Sequence, residues 1–163
     1  YPDPIAPLKK RIVALGLLGG LVLGSIASLF VEKRKNIVYS TKDIEQITGL
    51  SKIDELTISK PTIWQESLKI FLSSKFIKKI NSLVFIQVGE FDNQTSTNLS
   101  KVVSESLDDK KHLITKNIRE VENFTNVILL VFMGSIKKDE LVDLNKNMNF
   151  LQKETIGYIA IER

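Results

Sequence analysis

The first apolar pattern along the chain is an uncharged run of twenty residues, IVALGLLGGLVLGSIASLFV, at positions 12–31. At roughly 1.5 Å per helical residue such a run spans about 30 Å, the hydrocarbon thickness of a bilayer, so it predicts a transmembrane helix. Beyond it the period changes. Ser40 or Thr41 can cap a short helix with Asp43 and Glu45 near its start and Gly49 at its end. From Pro61 onward, Ile63, Trp64, Leu68, Phe71 and Leu72 form a stripe of helical period, predicting a helix with one face on a core. SLVFIQV (82–88) then reads as a strand buried on both faces, STNLSKVVSESL (96–107) as a helix, and HLIT (112–115) as a short strand. NVILLVFM (126–133) is the strongest strand pattern, followed by a helix over 137–152 and a last strand, TIGYIAIE, over 155–162. Strand and helix alternate, which predicts an α/β domain with a mostly parallel sheet.

Composition refines the apolar run. Inside it Gly16, Gly20, Gly24 and Ser28 recur every fourth residue, a small-residue face that lets two helix backbones approach closely in lipid. Ser25-Ile26-Ala27 resembles a secretory cleavage site, but the run continues to Val31 and stops at EKRK, as an anchor does. Ahead of it, YPDPIAP holds three of the four prolines and favours an extended spacer. The chain starts at Tyr1, so a longer protein preceding it is expected.

The net charge of +4 sits around this segment. Lys9, Lys10, Arg11, Lys33, Arg34 and Lys35 outnumber Asp3 and Glu32, and the rest of the chain is balanced. Nucleic-acid binders concentrate cations on a face of the folded domain, so a nucleic-acid partner is not expected. The cations flank both ends alike, and charge alone sets no orientation. With no cysteine and one histidine, His112, neither a Cys-based zinc site nor a His-pair metal site nor a Ser/His/Asp triad is expected. Asp108-Asp109 and Asp139-Glu140 read as solvated helix starts, and neither metal nor cofactor is expected.

VGEFDNQTSTNLS (88–100) is the stretch closest to functional chemistry: an apolar strand, a glycine, a polar turn and a helix start, beyond the strand's C-terminus where open α/β sheets bind ligands. A phosphate loop of the form G-x-x-x-x-G-K-[ST] needs glycines for backbone approach, a lysine for the β and γ oxygens, and a hydroxyl for Mg²⁺. Counted from Gly89, Gln94 stands at the second glycine and Thr95 at the lysine, and only Ser96 agrees. No lysine or arginine occurs from Ile80 to Ser100, while Glu90 and Asp92 are acidic, so a nucleotide would meet like charge.

The order of features resembles the C-terminal half of Wzz-type polysaccharide co-polymerases joined to a bacterial tyrosine kinase-like domain: a proline-rich lead, glycine-rich apolar helix, basic exit, DIE helix, apolar-faced helix and α/β domain. The family loop reads approximately PGEGKSTxxxNLA. Aligned through its end, this chain keeps Gly89-Glu90 and Asn98-Leu99, with Phe91 at the second glycine, Asp92 at the lysine, Asn93 at the serine and Gln94 at the threonine. LLVFMGSIKKDELVDL with IGYIAIE is similar to the family's last strand, helix, strand unit, and the tyrosine-rich tail has no counterpart.

The resemblance implies a P-loop-like fold without a working Walker A motif and no catalytic residues. Gly89, Glu90, Asp92 and Asn93 would form a relic loop. It implies a periplasmic lead (1–11), a transmembrane helix (12–31), a basic exit with a short helical linker (32–60) and a cytoplasmic kinase-like α/β domain (61–163). A bacterial inner-membrane regulator of O-antigen, capsule or exopolysaccharide chain length and export follows, acting as a homo-oligomer beside a polymerase or export machinery. Alternatives are an active tyrosine autokinase of the exopolysaccharide system and an unrelated membrane-anchored adaptor.

Overall fold

A computed structural model describes residues 9–34 and 36–162, and the chain divides after Asn36 into two compact units. The first is a single helix, α1 (Lys9–Arg34). Its stretch Ile12–Val31 is long and apolar enough to cross a membrane, with mean hydropathy 2.3. Its apolar side chains, among them Ile12, Leu15, Leu18, Leu21, Ile26 and Phe30, are exposed along the whole stretch. A Cβ at Gly16, Gly20 or Gly24 would meet nothing within 4 Å, so the face these residues share with Ser28 is open. Most of the proline-rich lead, residues 1–8, lies outside the described residues.

The second unit begins at Ile37 and holds α2 (Thr41–Thr48), β1 (Lys52–Thr57), α3 (Pro61–Leu72), α4 (Lys75–Lys78), β2 (Ser82–Val88), α5 (Asn93–Ser106), β3 (Lys111–Thr115), β4 (Asn126–Phe132), α6 (Lys138–Phe150) and β5 (Glu154–Glu162), with a 3₁₀ turn over Ile118–Asn123. The five strands form one parallel sheet in the order β1-β5-β4-β2-β3. Its inner strands are continuous apolar runs because both faces are covered. Alternate side chains divide between two cores. Leu83, Phe85, Ile128 and Leu130 pack with Trp64, Leu68 and Leu72 of α3 and with Leu99, Val102 and Val103 of α5. On the other face Val84, Ile86, Leu129, Val131 and Tyr158 pack with Val38, Ile44 of α2, and Leu141 and Met148 of α6.

The helix following β2 therefore lies on one face and the helix following β4 on the other. The strand order reverses between these two neighbours, so their C-terminal ends form the switch point of the sheet, where open α/β folds carry a ligand crevice.

Local chemistry fixes the helix ends. Ser40 caps α2 by accepting from the Lys42 amide at 3.2 Å, and Gly49, at φ 69°, ends it with its N–H on Glu45 O at 2.8 Å. Asp43, near the positive end of the α2 dipole, pairs with Lys138 at 2.8 Å and ties α2 to α6.

Four findings differ from the sequence reading, the first being that Asp108-Asp109, read as a helix start, lies in the turn between α5 and β3. The stretch 32–60, read as exit and linker, contributes β1 to the sheet, and Val38 is fully buried in one core. Helix α5 starts at Asn93, three residues before the expected Ser96, because Asp92 caps it. Ile63, read as part of the core stripe, is 59% exposed, while Trp64, Leu68 and Leu72 are buried. Trp64 brings a cost with it: its indole Nε1 is buried without a hydrogen-bond partner.

Candidate functional site

The crevice between β2 and β4 is occupied by the protein's own groups. Beyond Val88 the chain turns at Gly89, whose φ of 98° lies in the region that L side chains avoid. A Cβ there would run into Ser135 Oγ and stand 3.1 Å from Phe132 O. This close approach lets the Glu90 N–H donate to Ser135 Oγ at 2.9 Å, while the same hydroxyl donates to Phe132 O at 2.9 Å. Phe91 covers the junction, buried against Phe132 with ring centroids 5.2 Å apart and planes tilted by 55°. The loops after β2 and β4 are thus stitched together at the sheet position where open α/β folds receive ligands.

Asp92 completes the loop. Its carboxylate accepts from the Thr95 N–H at 2.7 Å and from Thr95 Oγ1 at 2.8 Å, capping the fourteen-residue α5. The Thr95 backbone bond, then the Thr95 hydroxyl, holds the Asp92 carboxyl below its ordinary value of 3.8. A helix N-terminus attracts an anion through unpaired N–H groups and the dipole. Here a covalently attached anion already takes that place. Asn93 is the first helical residue, and its carbonyl accepts from Thr97 Oγ1 at 2.8 Å. Gln87, buried at the end of β2, donates from Nε2 to Ser96 Oγ at 2.9 Å.

The cap carries a pH signature. A depressed folded pKa contributes stability that is complete above the unfolded value of about 3.8 and is lost as pH falls through the lower folded value. Replacing Asp92 by Ala is expected to speed amide exchange at Thr95 at neutral pH and to remove this acid-range loss of protection, whereas Asp92→Asn, which keeps an acceptor, retains most of the neutral-pH protection. Exchange followed by NMR between pH 3 and 7 checks both.

Beside the cap, Leu56, Ile58, Trp64, Thr95, Leu99 and Ile161 line an apolar crevice too tight to admit a water molecule. A polar hollow of about 420 Å³ lies at the opposite end of the sheet among Glu122, Thr125, Gln152 and Glu154, where Lys153 Nζ donates to Glu122 O and Phe124 O at 2.8 and 2.9 Å. That lysine is committed to holding the chain together. His112 lies on edge strand β3, with Nδ1 2.9 Å from Lys110 O and Nε2 3.4 Å from Ser104 Oγ.

Gly89, Glu90, Asp92 and Asn93 come together at the switch point, whereas Gly16, Gly20, Gly24 and Ser28 belong to α1 in the other unit. Sequence reasoning missed Ser135 and Gly134. Their signal was the Gly-Ser pair directly after the strongest apolar strand, a second turn at the same sheet edge. Comparison with family models, with curated proteins and with solved structures returns no match for this chain.

Proposed function

We propose that this chain is a non-catalytic membrane regulator of surface polysaccharide chain length and export, acting by oligomeric assembly. The observation that carries the non-catalytic part is Asp92, a carboxylate bonded to Thr95 at the helix N-terminus where a phosphate-binding loop holds its anion. Ser135 adds to it by occupying the space beside Gly89 through which a nucleotide's phosphates would approach the backbone. On this reading the α/β unit is a P-loop-like relic used for interaction. Support for that ancestry is the position of VGEFDNQTSTNLS, which follows an inner parallel strand at the switch point.

The polysaccharide assignment rests on the sequence resemblance to Wzz-type co-polymerases. With it come α1 as a span of the bacterial inner membrane, residues 32–163 on the cytoplasmic side, and self-association along the Gly16, Gly20, Gly24 and Ser28 face. The partner is then a polysaccharide polymerase or export complex.

Two measurements test the reading. Deleting the protein is expected to broaden or shift the length distribution of the surface polysaccharide, and an unchanged distribution overturns the assignment. Purified protein is expected not to bind ATP at micromolar concentration. Micromolar ATP binding by the parent protein would overturn the non-catalytic part.

A further inference from the structure

The turn that closes the crevice has a second partner. Residues 37–39, which follow α1 in the chain, lie along the turn after β4 as one isolated antiparallel bridge, Ile37 with Lys137, beside an otherwise parallel sheet. Val38 N–H donates to Ile136 O at 2.9 Å, and Gly134 N–H donates to Val38 O at 2.8 Å. The ring of Tyr39 lies over Gly134, within 3.6 Å of the position a Cβ would take there, yet the residue remains 55% exposed. Between Gly134 and Ile136 stands Ser135, whose hydroxyl holds Glu90. One short turn is therefore gripped by residues 37–39 on one flank and by Gly89-Glu90 on the other.

We infer that residues 37–39 form a strap that keeps the switch-point crevice closed, coupling the segment following α1 to the Gly89-Glu90 turn through Ser135. The strap is held by one bridge, two backbone hydrogen bonds and the buried Val38 side chain, against the full ladders of the sheet, and on this inference it opens locally before the sheet does. The turn it grips has little slack of its own. Met133 N–H is fixed to Ile161 O at 2.9 Å, and Ser135 N–H donates to Phe132 O at 3.4 Å. Displacing the strap frees Gly134 and Ile136 together, and Ser135 between them then loses its position over Gly89. This inference is independent of the polysaccharide assignment.

Because coupling between two contacts is reciprocal, it is testable from either side. Amide exchange is followed in the full chain in detergent micelles, with Ile128–Val131 of β4 as the reference for global opening. Tyr39→Ala, a change at an exposed residue, is expected to speed exchange at Gly134 and at Glu90 alike, on the order of threefold to tenfold, with the β4 amides unchanged. Ser135→Ala, which removes the acceptor for Glu90, is expected to speed Gly134 as well. Faster exchange at Gly134 alone in Tyr39→Ala, or an unchanged Gly134 in Ser135→Ala, overturns the coupling. Acceleration of the β4 amides by the same factor overturns it too, since the strap is then only one more part of a single cooperative fold.

Discussion

Gly89→Val is expected to destabilise the α/β unit by on the order of 3–5 kcal/mol, from two costs acting at one residue. The first is conformational: at φ 98° a β-branched side chain is forced into a region it essentially never occupies. The second is steric: the new Cβ would collide with Ser135 Oγ and crowd Phe132 O and Phe132 Cβ at 3.1 and 3.2 Å. Relief requires the loops after β2 and β4 to part, which breaks the Glu90 to Ser135 hydrogen bond and lifts Phe91 from Phe132. Urea unfolding of the variant beside the parent protein measures the loss. Adding Ser135→Ala removes the hydroxyl from the collision but leaves the backbone strain and the Phe132 carbonyl in place. The double variant is accordingly expected to recover only part of the loss, and full recovery would show that the strain at Gly89 had been overestimated.

The same residues explain why some of this site was legible in the sequence and some was not. Strands β2, β4 and β5 are readable because burial on both faces demands unbroken apolar runs, and the sequences 82–88 and 126–132 have no other use. Edge strand β1 is hidden for the opposite reason. KIDELT carries Lys52, Asp54 and Glu55, and of its six residues Leu56 alone is buried. Those charges protect the edge. The ladder is irregular between Lys52 and Asp54, the Glu55 N–H is taken by Asp54 Oδ1 at 2.8 Å, and Lys52 pairs with Glu55 at 2.8 Å, all of which discourage further strand addition. A segment built to repel pairing looks like a linker in one dimension. Asp92 was visible as a reversal of charge, but its cap on Thr95 depends on where α5 begins, which apolar periodicity locates only to within a turn. Ser135 was least visible, since its partner Glu90 is 45 residues away.

Tyr158→Ala is expected to cost about 3–5 kcal/mol, the range for removing a large buried ring. Tyr158 is fully buried on β5, paired in register with Lys52 of edge strand β1 on one side and Leu129 of β4 on the other. Its ring belongs to the core under α2, and its hydroxyl lies 3.2 Å from Thr41 O and 3.3 Å from Glu45 Oε1. Truncation leaves a cavity beneath α2 and removes the polar link between that helix and the sheet. Tyr158→Phe keeps the ring and removes only the hydrogen bond, a loss of about 1 kcal/mol. The two variants also separate burial from ionisation. Burial first, then the nearby Glu45 carboxylate, pushes the Tyr158 hydroxyl from 10.0 up to about 12. The folded state therefore keeps its proton where the unfolded chain releases it, and stability must fall as pH rises from about 10 to about 12. The informative quantity is the difference between parent and Tyr158→Phe urea midpoints measured from pH 8 to 12. That difference is expected to be constant to about pH 10 and then to shrink, because the variant has no phenol to hold protonated. A constant difference to pH 12 would mean that the hydroxyl reaches water, and that α2 is held by Ile44 in the core and by the Asp43–Lys138 pair to α6 without the Tyr158 contact.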